Sequence, residues 1–339
     1  MSFSLCQTKF MMARLVGSAL VCVSATLLVL PVGAAPAGQR QISLPAGIVP
    51  VDGEYRCNKD DMPMVLVPAG EFVMGSSNGS YDERPVHKVY LDAFLADKHE
   101  VTNAQFARFV SLSGYRPQGP WRRAFVAGCA DQPVRFVTWY DAQAYARWAG
   151  RQLPSEAQWE KAAAGPSGLT YPWGKQWQDR LSCVGRVAPE QKAITVDQSL
   201  PFVPNQLRSN TTSRYAGPVA VGSFPKGASS YGCLDMAGNV WEWVADWYDR
   251  YFYVNLTGVA RNPTGPSDGA APEQRFVKTG TAAGNERSTR KAIRGGSFTS
   301  RPDDARCARR MWGNPRYWFN DTGFRCAVVL DGKKGPGGN

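Results

Sequence analysis

Short runs of β-branched and aromatic residues predict strands, because such runs suit a pleated, half-buried surface. Residues 64–75 predict a strand, a turn and a second strand that ends at a glycine. Residues 86–94 predict another strand, directly after Pro85. Shorter strands are predicted later in the chain, at 241–245, 293–298 and 324–330.

Three segments with helical spacing begin at residues that can cap a helix. The capping residues are Thr102, Thr138 and Ser155, and glycines that stop the helices follow at Gly114, Gly150 and Gly165. Gln105 and Gln158 stand where a capping box needs them. The sequence therefore predicts three helices among several short strands.

The first 37 residues have the features of an export signal. Lys9 and Arg14 precede an apolar run that extends from Leu15 to about Val32, and small residues follow at 33–37. This order predicts a cleaved signal peptide at 1–37 and a periplasmic or secreted protein. An uncleaved anchor is the alternative, and contact with a membrane is expected only in that case.

The rest of the chain is predicted to hold one domain. We expect an extended leader at 38–61, the domain at 62–330 and a flexible tail at 331–339. Two stretches, 181–217 and 251–292, lose all periodicity, which is typical of long binding loops or insertions.

The chain is basic, with 39 Lys and Arg against 28 Asp and Glu. Removal of Lys9 and Arg14 with the signal leaves 37 against 28, or a net charge of +9. The basic residues are scattered and form no nucleic-acid-binding motif, so no nucleic-acid partner is expected.

Six cysteines remain after the signal: Cys57, Cys129, Cys183, Cys233, Cys307 and Cys326. An even number in an oxidising compartment favours disulfides, although 15 complete pairings are open and buried free thiols are the alternative. No C-x-x-C spacing occurs, which argues against a zinc or thioredoxin-type site.

Residues 231–243, Tyr-Gly-Cys-Leu-Asp-Met-Ala-Gly-Asn-Val-Trp-Glu-Trp, carry the most specific motif. With Leu153–Glu160, Tyr171–Gly174, Arg294–Phe298 and Gly323–Ala327 in this order, the chain resembles the formylglycine-generating-enzyme (sulfatase-modifying factor) family. The resemblance implies a compact, irregular α+β fold related to C-type lectin domains, with short strands, few helices and many loops.

The resemblance also locates the positions of the family's chemistry. Family enzymes bind copper through two cysteines, and the matching positions here are Ser300 and Ala305. Hydroxyl and methyl groups do not replace thiolates as ligands of Cu(I), so copper is not expected. The family's two structural disulfides would need cysteines at Ala146 and Ala163 as partners of Cys326 and Cys307, so neither bridge is expected.

A calcium site is implied by the same motif. The family pattern corresponds to Asp235, Gly238, Val240 and Glu242, which would supply two carboxylates and two backbone carbonyls. A carboxylate-capped turn without metal is the alternative. The only histidines of the mature chain, His87 and His99, are expected to be structural rather than iron ligands.

A groove for a peptide is also implied by the resemblance. Its expected borders are Trp241, Trp243, Ser297, Ser300, Arg309 and Arg325. The two arginines could bind anionic groups or form structural salt bridges.

Three functions follow, in order of preference. The first is an exported, non-catalytic binding or accessory protein that recognises a polypeptide partner, for example as an immunity-type protein. The second is a periplasmic oxidative tailoring enzyme acting on a small secreted substrate, similar to the family member that takes part in pyoverdine maturation. The third is a true formylglycine-generating oxidase.

Overall fold

The computed structural model of the chain describes residues 44–185, 217–266 and 290–330. The predicted signal peptide at 1–37, the predicted tail at 331–339 and most of the predicted loop at 181–217 lie outside these ranges. Among the residues that are described, no helix is both long enough and apolar enough to cross a membrane.

Three α-helices are present in the described ranges: α1 (Asn103–Ser113), α2 (Trp139–Trp148) and α3 (Glu156–Ala164). Each begins with a capping box, in which the side chains of Thr102, Thr138 and Ser155 accept the N–H of the third helical residue. The three predicted helix starts are therefore confirmed. The box of α2 is completed by Asp141, which the sequence reasoning had not identified.

The described strands are short. In chain order they are β1 (Ile48–Val51), β2 (Glu54–Cys57), β3 (Pro63–Val67), β4 (Gly70–Met74), β5 (His87–Leu91), β6 (Phe94–Asp97), β7 (Trp241–Trp247), β8 (Ala260–Arg261), β9 (Lys291–Arg294), β10 (Met311–Gly313), β11 (Thr322–Gly323) and β12 (Ala327–Val329).

The largest sheet has five strands in the order β1-β2-β3-β6-β12 and is antiparallel throughout. Its first hairpin, residues 48–57, lies within the predicted extended leader at 38–61. Ile48 and Cys57 are buried in the core, so this part of the leader belongs to the domain. The sequence analysis missed this hairpin because two of the four side chains of β2, Glu54 and Arg56, are polar, as is common near the edge of a sheet.

A second sheet has the order β10-β9-β7-β11 and carries the most specific motif. β7 pairs antiparallel with β9, with Trp243 opposite Ile293, and parallel with β11, with Thr322 opposite Trp241. A third sheet has the order β4-β5-β8. β3 and β4, predicted as two strands joined by a turn, are both present but lie in different sheets.

The core consists of two packed clusters. Aromatic rings fill the first, where Phe106 contacts Phe109, Tyr145 and Phe324 at centroid distances of 5.4 to 6.4 Å. The second surrounds α3, whose nine residues are all buried. Because buried charges need partners, Arg294 pairs there with both Glu156 and Glu160.

None of the six cysteines of the mature chain, all of which are described, is in a disulfide. The structure therefore differs from the pairing that the even count favoured. Ala146 and Ala163 are fully buried and offer Cys326 and Cys307 no sulfur partner, in agreement with the reasoning on those two bridges. Burial raises the pKa of the Cys233 thiol to about 11, which keeps it protonated and unreactive.

Candidate functional site

Two turns cross at the centre of the candidate site. The turn at 235–240 leads into β7, and the turn at 295–300 follows β9. The N–H of Gly238 donates to the carbonyl of Gly295 at 2.8 Å, and the N–H of Phe298 donates to the carbonyl of Asn239 at 2.9 Å. These bonds hold the turn that contains Asp235 against the turn that contains the hydroxyl residues.

Both turns need glycine at one position. Gly238 has a φ of 95°, and a Cβ there would lie 2.5 Å from the carbonyl oxygen of Cys183. Gly296 has a φ of 76°, and its Cβ would lie 3.0 Å from the Cα of Ala305. Any other residue would combine an unfavourable backbone conformation with a clash.

The second turn forms a cluster of hydroxyl groups around one carboxylate. The hydroxyls of Ser297 and Thr299 donate to Oδ2 of Asp321 at 2.9 and 3.0 Å. The backbone N–H of Ser297 donates to Oγ of Ser300 at 2.9 Å. Ser297 and Ser300 are both buried, so these bonds satisfy the cluster internally.

The hydroxyl cluster has no imidazole beside it. Burial raises the pKa of Asp321, while the hydroxyls of Ser297 and Thr299 lower it. His87 packs against the ring of Tyr253, and His99 hydrogen-bonds the carbonyl of Glu100, as the structural roles predicted for both require. A serine nucleophile activated by histidine is therefore not assembled among the described residues.

The residues at the family's copper positions do not fit copper. Ser300 provides a hydrogen-bonded hydroxyl, and Ala305 provides a fully buried methyl group. Cys307, the thiol next to them in sequence, is also fully buried. Burial raises the pKa of Cys307 well above its usual value, which disfavours the thiolate that a metal would need.

The first turn adjoins a buried ion pair. Arg325 binds Glu242 through two bonds, from Nε to Oε2 and from Nη2 to Oε1, both 2.7 Å long. The indole N–H of Trp159 also donates to Oε2 at 2.8 Å. Both oxygens of Glu242, which the sequence reasoning assigned to calcium, therefore already have protein donors.

A third buried acid lies close by and was missed from the sequence. Oε2 of Glu100 accepts from the side chain of Asn239 at 3.3 Å, but its buried Oε1 has no hydrogen-bond partner in the described structure. Burial, and then the negative charges of Asp235 and Glu242, raise the pKa of Glu100. Glu100 directly precedes Val101 and the helix-capping Thr102, and this local sequence gives no sign that its carboxylate faces Asp235.

This arrangement fits a hard cation such as calcium in part. Asp235 is nine-tenths buried, with a φ of 58°, and its Oδ2 accepts from the N–H of Gly222 at 2.6 Å. Three carboxylates with one arginine leave excess negative charge in the core, which a cation would offset. No three acidic, histidine or cysteine side chains converge on one point within the described ranges, so carbonyls, such as the predicted Gly238 and Val240, would have to complete the shell.

The predicted peptide groove is largely closed. Trp241, Trp243, Ser297, Ser300 and Arg325 are all buried. Only Arg309 reaches the surface, where it donates to Oγ of Ser80 at 2.6 Å and lies 3.3 Å from Asp304. Of the two roles weighed for these arginines, the structural salt bridge is the one observed.

An open cavity lies elsewhere on the described surface. It has a volume of about 630 Å³, and its lining includes Tyr171, Trp177, Asp303 and Arg306. The rings of Tyr171 and Trp177 meet edge to face at 5.2 Å. The Tyr-Pro-Trp-Gly motif pointed to this wall, but the sequence could not show that it faces a cavity.

Comparison with known proteins agrees with this geometry. The family model of the sulfatase-modifying factor enzyme 1-like domain matches residues 53–330. The formylglycine-generating enzyme of Mycobacterium tuberculosis is 31% identical over 319 residues, which cover 78% of this chain and 97% of that enzyme. The chain belongs to this family, and the predicted resemblance is confirmed.

Solved structures confirm the α+β fold. PvdO from Pseudomonas aeruginosa matches with a TM-score of 0.57 and 25% identity over 80% of this chain and 96% of PvdO. Treponema denticola variable protein 1 has the same TM-score at 18% identity, which indicates the fold alone.

Another relative is longer than this chain. The serine/threonine-protein kinase pkn1 of Chlamydia pneumoniae is 34% identical over 285 residues, which cover 79% of this chain but 38% of that protein. The likeness therefore concerns one part of the kinase-named protein.

Proposed function

We propose that this chain is a non-catalytic member of its family that recognises a polypeptide partner, as an accessory or immunity-type protein. One observation carries the proposal: the positions of the two copper ligands hold Ser300 and Ala305. Neither side chain can bind Cu(I) as a thiolate does. The scaffold around them is intact, which favours a retained binding role.

The open cavity beside residues 300–306 is the proposed contact region. It combines an aromatic wall with polar and charged groups, as ligand sites commonly do. We also propose export through the signal at 1–37, so that the partner would be met in the periplasm or outside the cell.

Calcium is proposed as a structural ion rather than a reactive one. Asp235 and Glu100 would provide the carboxylates, together with carbonyls of Gly238 and Val240, while Glu242 would act mainly through its pair with Arg325. A bound ion would neutralise buried charge and fix the turn at 235–240.

The loss of oxidase chemistry is tested by restoring the ligands. Wild type and the double variant Ser300→Cys/Ala305→Cys are loaded with Cu(I) and given a cysteine peptide and dioxygen. We expect aldehyde formation by neither protein, and tight Cu(I) binding only by the double variant. Copper-dependent aldehyde formation by the wild type would refute the proposal.

Partner recognition is tested by cross-linking in cells from a photoreactive residue placed at Trp177. The cross-linked polypeptide is identified, purified and titrated against the protein by calorimetry. We expect saturable binding that Trp177→Ala weakens and that Tyr251→Ala, at an exposed ring elsewhere, leaves unchanged. The absence of any polypeptide that binds after purification would contradict the proposal.

An oxidative tailoring enzyme is the second candidate, and the likeness to PvdO over 80% of this chain favours it. The neighbouring genes distinguish the two candidates. An adjacent secretion-effector gene would favour the binding protein, and a siderophore gene cluster would favour the tailoring enzyme. Oxygen uptake that requires iron or copper and a small secreted substrate would move this candidate ahead of the first.

A further inference from the structure

An arginine–aromatic surface contacts the turn at 295–300, where Arg135 lies over the ring of Phe298. It consists of Arg122, Arg123, Arg135, Phe136 and Trp318. Among the described residues, none of these three arginines forms an ion pair with a carboxylate. The local sequence explains this, because Asp131 is the only acidic residue between residues 101 and 140.

Each guanidinium is held over an aromatic ring. Arg122 lies 4.9 Å from the ring of Trp121, and Arg123 lies 5.4 Å from that of Trp318. Arg122 and Arg123 are exposed to solvent. Stacking fixes the plane of a guanidinium and leaves the donors at its edge available for a carboxylate, so little side-chain entropy remains to be lost on binding.

Arg135 connects this surface to the hydroxyl cluster. Its guanidinium lies between Phe136 and Phe298, at 5.4 and 5.6 Å, and donates to the carbonyl of Asn320 at 2.6 Å. Its buried Nε has no hydrogen-bond partner in the described structure.

The aromatic part of the surface is held in an unfavourable backbone conformation. Phe136 has a φ of 57°, in the left-handed region that a bulky residue rarely adopts. Its ring contacts Trp318 at 5.7 Å, and its N–H donates to the carbonyl of Phe319 at 3.0 Å. Such strain persists where the surrounding contacts enforce it, and it is concentrated at binding sites.

We infer that the arginine–aromatic surface binds an acidic polypeptide segment that also carries apolar side chains. Carboxylates would pair with Arg122, Arg123 and Arg135, and apolar side chains would pack on Phe136, Trp318 and the neighbouring Phe125 and Val126. The last two are 38% and 57% exposed. The guanidiniums without ion-pair partners complement carboxylates, and the apolar side chains beside them suit the mixed composition of a polypeptide segment.

This inference rests on the proposed recognition of a polypeptide, adds a second contact surface to the proposed cavity, and specifies the chemistry of the segment bound there. The test measures binding of a short fluorescein-labelled peptide rich in Glu and Phe, with a Gln-for-Glu peptide as the probe control. The protein variant is Arg122→Gln/Arg123→Gln. The matched control is Arg108→Gln/Arg147→Gln, which removes the same charge from two exposed arginines outside the surface.

We expect the Glu peptide to bind the wild type and the control variant alike, and to bind Arg122→Gln/Arg123→Gln at least about tenfold more weakly. The Gln peptide should bind weakly to all three proteins. Because the pairs are exposed, the affinity should also fall as salt is added.

Several results would overturn the inference. These are no binding of the Glu peptide to the wild type, equal loss in both variants, or tighter binding of a single-stranded oligonucleotide or of phosphatidylglycerol vesicles. If a purified partner binds Arg122→Gln/Arg123→Gln as well as the wild type, this surface is excluded while the proposed function stands. If no polypeptide partner binds the wild type, the proposed function itself fails.

Discussion

Replacement of Glu100 by glutamine tests whether the acidic residues around Asp235 bind calcium or form a metal-free cluster. Oε1 of Glu100 is buried without a hydrogen-bond partner among the described residues, and burial, followed by the charges of Asp235 and Glu242, raises the pKa of Glu100. Without calcium, Glu100→Gln removes a repulsive buried charge and keeps an acceptor for Asn239. With calcium, the same change removes a proposed ligand. The substitution should therefore have opposite effects in the two conditions.

The magnitudes follow from the raised pKa and from mass action. Each unit by which burial raises the pKa corresponds to about 1.4 kcal/mol of destabilisation by the ionised form. The pKa of Glu100 is raised on folding, so this destabilisation is absent below the pKa that Glu100 has in the unfolded chain. It grows as the pH rises from that pKa to the pKa of Glu100 in the folded protein. In a chelator at pH 8 we expect Glu100→Gln to be about 1–3 kcal/mol more stable than the wild type.

Calcium at a hundred times its dissociation constant should stabilise the wild type by about 2.7 kcal/mol. That would raise the melting temperature by roughly 4–6 °C. Glu100→Gln should lose most of this shift, while Glu71→Gln, at an exposed pair with Lys88, should keep it.

The assay is thermal unfolding of the three proteins in EDTA and in graded calcium. An equal calcium shift in wild type and Glu100→Gln would refute the assignment of Glu100 as a ligand. A less stable Glu100→Gln in EDTA would refute the reasoning on buried repulsion. No calcium response in any of the three would favour the metal-free turn.

Three further predictions concern stability. Asp246→Asn should raise the free energy of unfolding by about 2–4 kcal/mol at pH 8. Burial raises the pKa of Asp246 to about 7, so the ionised carboxylate destabilises the wild type as the pH rises from about 4 to that value. Urea unfolding at a series of pH values measures this difference. Arg325→Met breaks a buried ion pair and should lower the free energy of unfolding by about 3–5 kcal/mol in the same assay. Arg261→Met breaks an exposed ion pair and should lower it by less than about 1 kcal/mol. Gly296→Ala should lower the free energy of unfolding by about 1–3 kcal/mol more than Gly258→Ala. Both glycines have a positive φ, but only Gly296 lacks room for a Cβ.

The helices could be predicted because their signals are local. Thr102, Thr138 and Ser155 each cap a helix through atoms three residues away, so the sequence contains both partners of each bond. The hairpin at 48–57 was missed because its burial depends on β3, which the prediction had placed outside the leader.

The site was less predictable because its partners are far apart in sequence. Glu242 and Arg325 are 83 residues apart, and their bidentate bond decides that neither faces a groove. Only the structure could show that Arg325 takes the carboxylate assigned to calcium and that Glu100 faces Asp235.

The five-stranded sheet also constrains when this domain can fold. Its order places β6 between β3 and β12, and β12 comes from residues 327–329. During synthesis, one edge of β6 therefore stays unpaired until residues 327–329 have left the ribosome. Until then the nascent domain keeps an unpaired strand that can associate with other chains. Holdase chaperones that cover this edge should improve the yield of folded protein.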